Sequence, residues 1–190
     1  MKKHRIVLST ILLTLMLLFS SCSFASKKIT YTLTPEACQA VFGCTPYGFV
    51  SRKENEIFRG MDDFYKKADV QNGNLILTMS RERVEQWKAL CLEGIEKVIQ
   101  VKSIDVSIND DYSKITCGYT ENSTTSDEFS IAYVNPISCC SSLQFLNDPH
   151  KENISVEYCI INAKTNEVKF SKVYPQDAPW TFEFDAFDFR

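Results

Sequence analysis

Histidine is nearly absent. The chain has two, and His4 falls in an N-terminal leader, so His150 is left for any chemistry that needs an imidazole. Ser-His-Asp or Cys-His nucleophilic catalysis would have to use it, and its setting, NDPHKEN, is that of a solvated surface loop. There is no glycine-rich phosphate loop, no GxSxG and no HExxH. No CxxC occurs, which removes the motif of thioredoxin-like redox chemistry. Zinc lacks ligands as well, because the cysteine spacings are unpaired and one histidine cannot complete a site. Asp110 and Asp111 are adjacent on a turn that points them apart, without the pattern of a calcium loop or a glycosidase pair. Neither a metal nor another cofactor is expected.

Positive charge is also in short supply. The chain carries 21 Lys and Arg against 24 Asp and Glu. Loss of the leader would remove Lys2, Lys3 and Arg5 and no acid, which takes the net charge from −3 to −6. A phosphate backbone calls for a basic face. Nucleic acid is therefore not an expected partner.

A second long apolar run is missing, so no spanning helix is expected beyond the first residues. What is present there is specific. MKKHR is followed by fourteen uncharged residues, Ile6 to Phe19, and then by small residues. A span needs about 20, whereas a basic stretch, a short apolar run and small residues form a secretory signal. Phe19-Ser20-Ser21-Cys22 fits a lipoprotein box, in which Cys22 is lipidated and becomes the new N-terminus. Phe19 stands where such boxes usually carry Leu. Ser23-Phe24-Ala25 offers ordinary cleavage before Ser26 as the alternative. The expected location is extracytoplasmic and anchored to a membrane through the Cys22 lipid, with free secretion as the other outcome.

About 165 residues follow the signal, enough for one domain with extensions. Seven cysteines remain beyond Cys22, at 38, 44, 91, 117, 139, 140 and 159, an odd number that cannot all pair within the chain. Cys38 and Cys44 are the local disulfide candidates, closing a small loop beside Gly43. Cys91 and Cys117 fall on apolar faces, where a free thiol behaves as a small hydrophobe. Adjacent Cys139 and Cys140 are expected to point to different environments.

Four segments organise the chain: a signal over 1–25, a helical N-terminal extension over 26–70, an α+β domain over 71–175, and an aromatic, acidic tail over 176–190. In the extension a helix starts at Pro35 and stops at Gly43. CTPYGFVSR reads as a turn-rich link, and Ile57, Met61, Phe64, Tyr65 and Ala68 recur at helical spacing. In the domain, NGNLILTM is a turn and a strand, and Ser80 caps a helix to about Gln100. Val84, Trp87, Cys91, Ile95 and Val98 make its buried stripe, widened by Leu90, Leu92 and Ile99. SIDVSIND and KITCGYT form an antiparallel hairpin that buries one face and turns Asp105, Ser107, Lys114 and Thr116 to solvent. A second helix lies within 127–147, interrupted or delayed by Pro136. ISVEYCII and EVKFSKVY close the domain as a hairpin. The order strand, helix, strand, strand, helix, strand, strand predicts a split βαβ, ferredoxin-like arrangement: one antiparallel sheet with an extra strand and both helices on one face.

NGNLILTMSRERVEQWK, INDDYSKIT and IINAKTNEVKF together resemble a broad group of small secreted bacterial proteins, often lipoproteins, of unassigned activity. The resemblance spans roughly residues 70 to 174 and rests on structural motifs. It implies export and carries no catalytic residue across.

The tail YPQDAPWTFEFDAFDFR sets Trp180, Phe182 and Phe184 at a period of two among acidic residues. It reads as an arm laid over its own core, or as a segment that binds a partner. The expected function is a non-enzymatic binding module, tethered by its lipid and engaging an envelope protein or surface ligand. The alternative is a thiol-dependent enzyme that uses an unpaired cysteine with His150.

Overall fold

The computed structural model describes residues 27–52, 65, 67–102, 104–120 and 126–178, with residues 52 and 126–135 described by their backbone alone. Cys22, Trp180, Phe182 and Phe184 lie outside the described residues. The elements are β1 (Lys28–Leu33), α1 (Pro35–Phe42), α2 (Pro46–Arg52), β2 (Lys67–Gln71), β3 (Asn74–Ser80), α3 (Arg81–Ile99), β4 (Asp105–Ile108), β5 (Lys114–Tyr119), α4 (Ser126–Asn147), β6 (Val156–Asn162) and β7 (Val168–Tyr174).

Local chemistry accounts for most boundaries. Thr34 caps α1 by accepting the Ala37 N–H at 3.2 Å, and Pro35 takes the first helical position, where its missing donor costs nothing. Gly43 ends α1 at φ +65°, with its N–H on the Gln39 carbonyl. Asn72 and Gly73 both have positive φ, which joins β2 to β3 through a two-residue turn whose twist matches the strands. Ser80 accepts the Arg83 N–H at the start of α3.

The class is α+β, as the element pattern implies, but the strands divide into two sheets. The first has the order β1-β3-β2 and is antiparallel; the second has the order β4-β5-β6-β7. A single antiparallel sheet is thus replaced by a three-stranded and a four-stranded one. KITYTL, unassigned in the sequence reading, supplies the reason: it pairs with β3 along its whole length, from Lys28↔Ser80 to Leu33↔Leu75. That register sets Ile29, Tyr31 and Leu33 opposite Met79, Leu77 and Leu75. With β2 on its other side, β3 has no free edge for β4–β7. In the second sheet β5 and β6 run parallel, because α4 crosses over between them.

The segment expected as a helical extension therefore holds two helices and both outer strands of the first sheet. Residues 46–52 form α2 and not a link. Of the helix expected near 57–68, residues 53–64 and 66 lie outside the described residues, and Ala68 belongs to β2.

The α3 stripe is buried at all five expected positions. Leu90, Leu92 and Ile99 do not widen it; they are 54%, 42% and 48% exposed. Helix α4 continues through Pro136, and every residue from Cys140 to Leu146 is buried. It packs against α1, α3, β5 and β6. A helix surrounded in this way needs no polar face. The rings of Tyr31, Phe145, Trp87, Phe42, Phe49 and Tyr65 follow one another at centroid distances of 4.5–6.0 Å. They link β1, α4, α3, α1 and α2 in one core. Among the described residues no helix is long and apolar enough to cross a membrane.

Candidate functional site

The seven described cysteines are free thiols, and most are core groups. Helix α1 buries Cys38 completely, and the Gly43 cap turns the chain so that Cys44 comes back against it. The two side chains are hydrogen-bonded and not covalently joined. Burial, reinforced by Cys44, pushes the Cys38 thiol up to about 12. Burial likewise takes Cys117 to about 11 and Cys140 to about 12. A thiol held protonated in this way is a poor nucleophile.

Cys159 stands in a different setting. It lies on the sheet face opposite Tyr158, among polar neighbours. Its Sγ is 3.2 Å from Glu157 Oε1 and 3.4 Å from Ser171 Oγ, and Ser171 Oγ donates to Glu157 Oε1 at 3.0 Å. Lys114 Nζ reaches Glu157 Oε2 at 3.0 Å. The parallel β5–β6 register brings the cluster together, since Lys114 aligns with Glu157, and β7 adds Ser171 opposite Cys159. Lys114 first, then Cys159, holds the Glu157 carboxyl below the usual glutamate range. The acid is fully ionised and hydrogen-bonded, and the thiol is raised by its burial. Such a group braces a sheet face and has no poised acid or base.

Concave surface is found at the end of β7. Tyr174 Oη donates to the Gln39 carbonyl at 3.1 Å, which ties the last strand to α1 across most of the chain. A cleft of about 300 Å³ lies along Ala40–Gly43, Ile137, Ser138 and Tyr174. A second, of about 400 Å³, is formed by Pro35, Glu36, Gln39, Glu152, Asn153, Ile154, Pro175 and Gln176. Both have mainly apolar walls, and the second also carries the carboxylates of Glu36 and Glu152. Both border the strand end from which the chain continues toward the aromatic tail.

The remaining sequence candidates stay apart. His150 is exposed, with its backbone N–H on Asp148 Oδ1 at 3.0 Å. Its imidazole is not among the groups that set the pKa of Cys38, Cys91, Cys117, Cys139, Cys140 or Cys159. Asp111 Oδ1 accepts the Ser113 N–H and Oγ–H at 3.1 and 2.7 Å, so this acid shapes the β4–β5 turn. No group of three or more metal-binding side chains occurs among the described residues. The Tyr174 clefts had no signal in the sequence, since their walls come from segments far apart in the chain.

Fold and surface together define an α+β domain with two small sheets, packed helices and two clefts near the end of β7. No family model, curated protein or solved structure matches this chain.

Proposed function

We propose that this chain is an exported, lipid-anchored envelope protein that works as a binding module, and that the clefts beside Tyr174 are its recognition surface. The observation that carries the binding role is that pair of clefts near the end of β7, one with Tyr174 in its wall and the other with Glu36 and Glu152 among mainly apolar surface. The location rests on the leader pattern ending at Cys22 and on the resemblance to small secreted bacterial proteins. From Cys22 to β1 the chain can reach about 20 Å at most. A lipid on Cys22 would hold the first sheet close to the membrane surface. Export would also allow Cys38 and Cys44, already in contact, to close as a disulfide. The thiol-enzyme alternative gains no support from His150, which faces solvent.

Two measurements test the proposal. The wild-type protein is expected in the detergent phase with a blocked N-terminal Cys22, and Cys22→Ala in the precursor or soluble fraction. A wild-type N-terminus at Ser26 would replace the anchor by secretion. A photo-crosslinking residue at Gln39, beside the cleft, is expected to trap a discrete envelope component in intact cells, and one at Leu92 on exposed α3 is not. Equal labelling from both positions would remove the clefts as the recognition surface.

A further inference from the structure

Two thiols from different helices meet at the α3–α4 packing surface. Cys91 sits on the buried stripe of α3 at 5% exposure, and Cys139 on α4 is half-buried. Their side chains are hydrogen-bonded, and Ser142, one turn along α4 from Cys139, is a second partner of Cys91. Gly94 makes the contact possible. A Cβ at that position would lie 3.0 Å from Cys139 Sγ, so the Cys139 sulfur fits closely into the space that glycine leaves on α3. The adjacent Cys140 points into the core with no exposure. Of the vicinal pair, Cys139 alone can be reached from solvent while touching a second thiol.

The protons are unequally held. The Cys91 S–H donates toward Cys139, which lowers the Cys139 pKa below the ordinary cysteine value. The same hydrogen bond, with burial, raises Cys91. The shared hydrogen bond favours an anion on the more exposed Cys139 and a proton on the buried Cys91. That is the division of labour in a thiol–disulfide exchange pair, where an accessible thiolate attacks and a shielded thiol resolves.

We propose that Cys139 and Cys91 form an oxidation site that accepts a low-molecular-weight disulfide of the glutathione class and closes into a Cys91–Cys139 bond between α3 and α4. In the first step the Cys139 thiolate attacks one sulfur of the small disulfide. The S–S bond breaks, a mixed disulfide forms on Cys139, and one small thiolate leaves and takes up a proton. With Cys139 capped, the thiolate that held the Cys91 proton is gone; Cys91 gives that proton to water and attacks Cys139 Sγ, the mixed S–S bond breaks, and the second small thiolate departs and takes up a proton. Two protein thiols are oxidised and one small disulfide is reduced to two thiols. The new bond fastens two helices that otherwise hold each other by packing. The site is independent of the Tyr174 clefts and of the anchor.

The test uses the full chain carrying Cys22→Ala, so that only thiols of the folded domain are read. The reduced protein is exposed to glutathione disulfide, quenched with acid and mapped by mass spectrometry. The expected first adduct is on Cys139, formed about tenfold faster than on Cys140 because the thiolate fraction and access both favour it. A Cys91–Cys139 cross-link is expected next, with a rise in melting temperature. Cys91→Ser should stop at a persistent Cys139 adduct, and Cys140→Ser should cross-link as the parent does. If mapping of the Cys22→Ala parent finds Cys139 still reduced when other thiols have reacted, or a cross-link that excludes Cys91, the site is not an exchange pair. Mapping of that parent decides this even where a further variant fails to fold.

Discussion

Glu157 is the side chain with the most partners on the open face of the second sheet, and its energetics follow from its exposure. Its carboxyl and Lys114 Nζ are both substantially solvated, so the pair contributes about 0.5–1 kcal/mol. Because the folded pKa lies below the unfolded one, the contribution is complete above the usual glutamate pKa, about 4.3, and disappears as pH falls through the folded value. Glu157→Gln should therefore lower stability by less than about 1 kcal/mol at pH 7, and the difference should shrink as pH falls through the folded pKa, as read by urea unfolding across an acid pH series. A loss that does not change across the acid series would place the effect in packing. Cys91 makes the contrasting case. Its apolar-stripe position was visible as an i, i+4 step from Trp87, and it is buried. Cys91→Ser should cost about 1 kcal/mol, the low end for a buried hydroxyl, because Ser142 and Cys139 can receive the new group. In the reduced native protein Cys91 should alkylate far more slowly than Cys139. Rapid labelling of Cys91 would mean that the α3 stripe opens.

At the scale of elements, α1 and α3 carry their own start and stop signals. Thr34, Pro35 and Gly43 bound α1 in eight residues. Gly43→Ala should destabilise by about 1–2 kcal/mol, a backbone cost alone, since a methyl there meets nothing within 4 Å. Thr34→Ala should cost about 1 kcal/mol by orphaning the Ala37 N–H. Calorimetry reads both, and a neutral Gly43→Ala would show that the left-handed turn is not maintained. Elements without such punctuation were less legible. KITYTL alternates as a strand should, yet nothing next to it in the chain forms its partner. Helix α4 is buried all round from Cys140 to Leu146, which leaves no period to read, and it continues through the proline that suggested a break. Leu90, Leu92 and Ile99 show the converse: apolar residues beside a stripe stay exposed when no element covers that side.

At the scale of the whole molecule the open question is the segment after Ala178. The cis-linked Tyr174–Pro175 end of β7 lies against α1, and Pro175 and Gln176 help to wall the larger cleft. Deleting 176–190 removes Trp180, Phe182 and Phe184, side chains that can each bury roughly 150–250 Å². The truncated protein should melt earlier and bind an apolar-surface dye, as expected for an arm that covers its own core. If it keeps its melting temperature and loses the Gln39 crosslink, the tail is a recognition arm. The sequence by itself determined what depends on near neighbours: the caps, the α3 stripe, the β4–β5 and β6–β7 hairpins and the α+β class. Tertiary structure alone decided which strands share a sheet, that Cys91 meets Cys139, and where the clefts lie. Each of those depends on contacts between distant segments, chosen by which apolar faces and strand edges remain open once local structure has formed, and no single window of the chain contains that competition.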